Sequence, residues 1–307
     1  MGTIQTEIAP NGQYSECEII SNDYWRLRID AILEQWLRSH TGLPIQKLEM
    51  LKAPPPHRGL GSGTQMACTV AATLQAAEIF RTQATLSQSD QLSMKGLFAE
   101  ETWPIAKLRE LSQRGKRSNI GLRGFLEGGF ILDYGLAENG VDQGSPNSRT
   151  QRFEFPHWPV LILQDNESSG DFGKAECKMF EDCSKSPNPN RASMLQIVKQ
   201  ELIPAMEAND WQRFDKALGQ YGRWAGQIFA PSQGGIYRTP KIEEAVEIAK
   251  RLGIEGATQS SWGPTVCIFA RDEEHAKWCS QKLIAQLPKW NIATTGAANS
   301  SAQVNMI

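Results

Sequence analysis

The chain has 307 residues, with 32 Lys and Arg against 34 Asp and Glu and a formal charge of −2 at pH 7. That length leaves room for two domains, and that balance excludes a broadly basic nucleic-acid binder. Hydrophobic residues make up 40% and charged residues 21%, an ordinary globular composition that excludes wholesale disorder.

In chain order, the segment 24–40 places Trp25, Ile29, Ile32, Leu33, Trp36 and Leu37 at i, i+3/i+4 spacing, which predicts an amphipathic core helix. Ile45, Leu48 and Met50 predict a strand within 44–53, and Pro54, Pro55 and Pro56 stop its pairing. A glycine loop, Gly59-Leu60-Gly61-Ser62-Gly63-Thr64, then leads into 65–81, where Met66, Val70, Leu74 and Ala77 mark a second buried helical face. Pro104 opens a helix to residue 113, since proline fits a first helical turn, and Gly115 ends it. Residues 116–129 read as a second Gly-rich loop, 129–135 as a strand, and 138–156, rich in Gly, Asn, Ser and charge, as a connector between domains. A strand at 158–164 follows, then a loop with Pro187-Asn188-Pro189 and two long helices within 192–229. The chain continues with a helix at 240–252, a strand at Val266-Cys267-Ile268-Phe269 and a helix at 273–287. The tail 294–307 lacks periodicity and is expected to be mobile. The alternation of elements defines an α+β class.

No apolar run reaches the roughly 18 residues of a membrane span. The first residues lack the basic and apolar stretches of a secretory leader, so no membrane partner and a cytoplasmic location are expected. The six cysteines include no CxxC pair and the four histidines no HExxH, which argues against a structural zinc or a thiol redox pair. Cys68 and Cys267 read as small core residues.

Three segments could carry chemistry. In Arg58-Gly59-Leu60-Gly61-Ser62-Gly63-Thr64-Gln65, glycines let backbone N–H groups approach an oxyanion while the following helix offers its positive end. The loop is neither a Walker A motif nor GxGxxG, and a plain Gly-rich helix cap stays open as its other reading. In the second segment Lys116, Arg117, Ser118 and Arg123 sit between glycines, a pattern suited to phosphate or carboxylate and equally to a solvated charge cluster. The third, Gln259-Ser260-Ser261-Trp262-Gly263, brings amide, hydroxyl and indole groups between a helix and a buried strand, where loops often bind ligands or simply turn. Asp133 breaks an apolar strand and is costly to bury unless paired or bound to a cation; a strand-edge surface position is the alternative. His57 and His157 have no nucleophile and orienting acid linked to them.

In this order, PPPHRGLGSGTQ, GKRSNIGLRGFLEGGFILDYG, FAPSQGGIY and GATQSSWGPTV resemble the β-ribofuranosylaminobenzene 5'-phosphate synthase family, a branch of the GHMP kinase superfamily. The resemblance covers most of residues 45–270. It implies a two-domain GHMP kinase-like α+β fold: an N-terminal mixed α/β domain over 1–150, a ferredoxin-like α+β domain over 151–290, and a tail at 291–307. It also implies that the chain lacks the strand with which such proteins usually start. The implied reaction joins p-aminobenzoate to phosphoribosyl pyrophosphate and releases carbon dioxide and pyrophosphate, an early step toward tetrahydromethanopterin-type carriers, with Mg²⁺ as cofactor and a homodimer as the expected assembly. On this reading Arg117 and Asp133 are the catalytic candidates. The amides from Gly59 to Gln65 hold one phosphate group, and Arg117 with Ser118 binds another or the benzoate carboxylate. Arg58 and Lys116 add positive potential, Asp133 orients Mg²⁺ or a substrate hydroxyl, and Gly234, Gly235 and Gln259 to Gly263 line the remaining substrate site. The competing expectations are a GHMP-type kinase that uses ATP on a small molecule and a non-catalytic phosphometabolite-binding protein.

Overall fold

The computed structural model describes residues 3–8, 14–53, 55–82, 92–93, 105–116, 118–134, 150–165, 191–261 and 263–304. Pro54, Pro104, Arg117, most of the expected connector, the Pro187-Asn188-Pro189 loop and Trp262 lie outside these residues. The chain divides into two compact units, one of Met1–Pro56, Gly61–Glu154 and Ala298–Ile307, the other of His57–Leu60 and Phe155–Ala297.

In the first unit, β1 (Thr3–Ile8) pairs antiparallel and β2 (Glu18–Ile20) parallel with a central β3 (Ile45–Lys52). Thr3–Ile8 is a strand, paired along β3 from Lys52 to Ile45. Helix α1 (Asp23–Leu37) begins where the Asn22 side chain accepts the Trp25 N–H at 3.1 Å, an arrangement that satisfies an otherwise orphaned first-turn donor. Its spacing buries Trp25, Ile29, Ile32, Leu33 and Trp36. Helix α2 (Ser62–Thr82) starts three residues before the position read from periodicity, because the Gly61 carbonyl already accepts from the N–H groups of Thr64 (3.0 Å) and Gln65 (3.1 Å). Helix α3 (Ile105–Ser112) adds Leu108 and Leu111 to the same core.

Where a Gly-rich loop was expected, Ile120–Glu127 forms helix α4, burying Leu122, Phe125 and Leu126. Three apolar residues on one face outweigh the helix-weakening effect of Gly121 and Gly124. A short hairpin of β5 (Phe130–Asp133) and β6 (Thr150–Phe153) follows, and β4 (Leu92–Ser93) pairs with β11 (Gln303–Val304).

The second unit carries the order β10-β7-β9-β8, every pair antiparallel. Its strands are β7 (Val160–Asp165), β8 (Thr258–Gln259), β9 (Thr265–Phe269) and β10 (Trp290–Thr295). By chain position this is fourth-first-third-second, the ferredoxin-like arrangement. Between β7 and β8 run α5 (Arg191–Ile197), a π turn (Val198–Leu202), α6 (Ile203–Glu207), α7 (Trp211–Gln233) and α8 (Pro240–Arg251); α9 (Glu273–Gln286) links β9 to β10. Leu161, Leu163, Val266 and Ile268 of the sheet pack on Val246 and Ala249 of α8 and on Cys279 and Leu283 of α9. Phe155, Trp158, Phe214 and Phe269 form an aromatic cluster with ring centroids 5.1–5.7 Å apart. Burial pushes the thiols of Cys68 and Cys267 up to about 12, consistent with their reading as core residues rather than reactive groups.

Part of the segment expected to be mobile is held by specific pairing. Trp290–Thr295 is a full edge strand on β7, and the Ala298 and Asn299 carbonyls accept from Gly129 N–H (2.7 Å) and Arg152 Nη2 (2.8 Å). Alternating burial at Trp290 and Ile292 is the signal that the polar composition masked.

Candidate functional site

In the first unit, functional groups collect at the amino end of α2. Gly61 adopts φ +68°, a left-handed conformation that glycine tolerates best, and turns the chain so that Ser62 and Gly63 occupy the first helical positions. Their N–H groups lie in the helix turn that has no intrahelical acceptor, where roughly half a positive charge accumulates. A methyl group on Gly63 would stand 2.9 Å from Arg28 Nη1 and 3.6 Å from Arg114 Nη2, so two guanidinium groups reach the same glycine. Thr64 packs against Gly121 of α4, and Gln65 Nε2 donates to the Gly121 carbonyl at 3.1 Å.

The residues just before α4 bring the second expected segment to Asp133. Ser118 Oγ and the Asn119 N–H both donate to Asp133 Oδ2 at 2.8 Å, and Arg109 Nη2 donates to Asn119 Oδ1 at 2.8 Å. Asp133 at the end of β5 is thus paired, as its position in an apolar strand required. Lys116 is exposed, and Arg117 lies outside the described residues.

In the second unit the segment 57–60 is held by the turn before β9. Ser260 Oγ donates to the Gly59 carbonyl at 2.8 Å, Thr265 Oγ1 to the Arg58 carbonyl at 2.7 Å, and Arg58 Nη1 to the Asp165 carbonyl at 3.2 Å. Gly59, at φ +74°, has no room for a side chain: a methyl there would lie 2.4 Å from the Ser260 carbonyl oxygen. His57 (φ 58°) and Ser261 (φ 50°) are non-glycine residues in the left-handed region, and such strain clusters at ligand sites. Gln259 accepts from the Arg238 N–H at 2.8 Å and donates to the Ser261 carbonyl at 2.8 Å, while Ser260 N–H bonds Thr265 O at 2.9 Å. A methyl group on Gly263 would stand 3.1 Å from Ile242 Cδ1 and 3.3 Å from Gln259 Cγ. Leu60 is exposed. Gly234 caps α7 in the left-handed conformation, and Gly235 accepts from Gln233 Nε2 at 2.9 Å, so the two glycines shape the helix end.

Arg28, Arg114, Asn119 and Arg109 were not singled out by the sequence. Arg28 lies on an otherwise ordinary helix about 35 residues before the glycine it reaches, and no local pattern signals that approach. Among the described residues no three His, Cys, Asp or Glu side chains come together as a metal cage, and no helix is long and apolar enough to cross a membrane. A carboxylate and a hydroxyl, Asp133 and Ser118, stand together. That pair fits the small share of ligands a phosphate-borne Mg²⁺ takes from protein.

Residues 202–289 match the family described as GHMP kinases C terminal. The mevalonate kinase of L. major is similar in structure with a TM-score of 0.62 at 15% identity, covering 98% of this chain and 87% of that one. The chain has the GHMP kinase α+β fold, with the ferredoxin-like unit as its C-terminal domain. Beta-ribofuranosylphenol 5'-phosphate synthase of Methanothermobacter thermautotrophicus is 24% identical over 221 residues, and that of Archaeoglobus fulgidus 24% identical over 228. These alignments cover 69% and 72% of this chain and 60% and 63% of the two relatives, so the match spans a little over three-fifths of their length.

Proposed function

We propose that the chain is a decarboxylating phosphoribosyl transferase. It joins a benzoate carrying an electron-donating para substituent to phosphoribosyl pyrophosphate. The motif resemblance points to p-aminobenzoate, and the relatives, named for a phenol product, point to the para-hydroxy analogue. The observation that carries the reading is the concentration of anion-binding groups at the amino end of α2: first-turn amides, Arg28 and Arg114 beside Gly63, and Ser118 with Asp133 one helix away.

In the proposed reaction the ring carbon that bears the carboxylate attacks the anomeric carbon as its bond to pyrophosphate breaks. The carboxylate then departs as carbon dioxide, and the electron pair of the broken bond restores aromaticity. No net proton transfer is needed. The protein's task is therefore to stabilise the departing charge and to hold the ring over the anomeric carbon. The α2 end receives the pyrophosphate. Asp133, fixed by Ser118 and Asn119, accepts from a ribose hydroxyl, and Arg117 takes the second anionic group. Asp133 and Ser118 are the residues that would hold Mg²⁺, which would supply positive charge to the leaving pyrophosphate.

The test is release of labelled carbon dioxide from carboxyl-labelled p-aminobenzoate or p-hydroxybenzoate by the purified chain with Mg²⁺ and phosphoribosyl pyrophosphate. Release that needs both substrates and no ATP is expected. ATP consumption without release would replace this reading by the kinase one, and phosphoribosyl pyrophosphate bound without release by the non-catalytic one.

A further inference from the structure

We infer that the side-chain oxygen of Gln233 accepts a hydrogen bond from the para amino or hydroxyl group of the benzoate and so selects that substituent; the inference rests on the reading that the chain takes an electron-rich benzoate. Gln233 is the last residue of α7. Its Nε2 donates to the carbonyls of Gly235 and Ile236, both at 2.9 Å. Two acceptors fix which way the amide points, because the reversed amide would set its oxygen against two other oxygens. The other end of the amide, Oε1, is buried, and among the described residues no donor reaches it. Buried acceptors are normally matched, and an unmatched one destabilises the fold that holds it. The surroundings keep this oxygen in place. A methyl on Gly226 would collide with the Ile236 carbonyl oxygen, so α7 lies directly against the segment that Gln233 holds. Further along that segment, Gln259 Oε1 accepts from the Arg238 N–H at 2.8 Å, and Gln259 Nε2 donates to Ser261 in the turn whose Ser260 hydroxyl bonds Gly59. The unmatched oxygen therefore sits in a bonded frame of residues 233–238, 259–261 and 59, all of it within the second unit.

An amide oxygen with no donor takes an N–H or O–H group. When the ring carbon bearing the carboxylate attacks, the ring becomes positively charged, and the para nitrogen or oxygen carries much of that charge until carbon dioxide leaves. Its N–H or O–H is then a stronger donor than in the free benzoate, so a fixed acceptor binds the charged ring more tightly than the substrate. A ribose hydroxyl, the other kind of donor in the reaction, gains no such strength. The proton stays on the substituent throughout, because a neutral amide oxygen is too weak a base to remove it, and the balance of the reaction is unchanged.

Calorimetric titration of the whole chain with p-aminobenzoate and with p-methylbenzoate, which has a similar shape and no donor, tests the assignment without turnover. The wild type is expected to bind the amino compound at least about tenfold more tightly, since a site built around an acceptor rejects a ligand that leaves it unmatched. Gln233→Met is expected to abolish that preference while leaving the affinity for p-methylbenzoate little changed, and to lower kcat for p-aminobenzoate at least about tenfold in the carbon dioxide assay. Equal weakening of both ligands in the variant would show a purely structural role and overturn the assignment, as would a wild type that binds the two alike or binds neither. A preference that depends on Gln233 in a chain that releases no carbon dioxide would keep the acceptor and overturn the transferase reading alone. Should Gln233→Met fail to fold, p-dimethylaminobenzoate, whose nitrogen has no N–H, gives the answer with the wild type. Binding at least about tenfold weaker than that of p-aminobenzoate is expected, and equal binding would overturn the assignment.

Discussion

Asp215 lies on α7 with 4% of its surface exposed, and its carboxylate accepts the N–H groups of Glu255 (2.7 Å) and Gly256 (2.9 Å). Those bonds fix the turn that leads into β8 and so place Gln259 and Ser260. Burial nevertheless pushes the Asp215 carboxyl up to about 6, with the two backbone donors pulling the other way. The folded protein therefore binds this proton more tightly than the unfolded chain does, so Asp215's share of stability is fully present below about pH 4 and is lost as pH rises through 6. The change is on the order of 3 kcal/mol. Urea unfolding of the wild type and of Asp215→Asn from pH 4 to 7 checks it. The difference between the two is expected to move against the wild type as pH rises, and a flat difference would remove the pH dependence from Asp215.

Helix α4 shows where local sequence is informative and where it is not. The glycine loop before α2 was legible because its chemistry is contiguous: residues 59–65 contain both the turn and the helix start. The long helices α1, α8 and α9 were legible because each has several apolar residues at helical spacing. By contrast, α4 has eight residues, two of them glycine, and was read as loop. Gly121 is required by a tertiary contact, since a methyl there would stand 2.6 Å from Thr64 Cγ2. Asp133 stood out because an acid in an apolar strand needs a partner if buried, but the groups that bond it, Ser118 and the Asn119 N–H, are set by how α4 packs. Arg28 and Arg114 were invisible for the same reason. Gly121→Ala gains helix propensity, about 0.5–1 kcal/mol, but overpacks Thr64 at a typical cost of about 1–3 kcal/mol. A net loss of about 0–2.5 kcal/mol, centred near 1, is expected. Thr64→Ser removes the clashing methyl and is expected to restore most of it in the double variant, so additive effects in a double-mutant cycle would refute the contact.

At the scale of the whole molecule, neither unit is a single stretch of chain. Residues 57–60 belong to the C-terminal unit and 298–307 to the N-terminal one. The last segment is built into its unit by specific bonds: the Ala298 carbonyl accepts from Gly129 N–H, the Asn299 carbonyl from Arg152 Nη2, and Ala302 N–H donates to the Phe125 carbonyl at 2.9 Å. Gly128 has no room for a side chain because the Ala298 and Ser300 carbonyls lie 2.5 Å from where it would begin. These bonds tie this segment to α4, which carries Gly121, to Gly129 just before β5, and to β6, the strand that pairs with β5 and so with Asp133. Truncation after Ala297 removes these three hydrogen bonds, about 0.5–1.5 kcal/mol each, together with the β4–β11 pairing, so a loss of at least about 2–4 kcal/mol is expected in the N-terminal unit. Hydrogen exchange locates the effect. Protection should fall across α4, β5 and β6 while β7 and β9 keep theirs, because their pairing lies wholly within the C-terminal unit. Equal loss in both units would mean that the tail stabilises the chain by a route other than these bonds, and no loss would mean that α4 and β5 hold Asp133 in place without it.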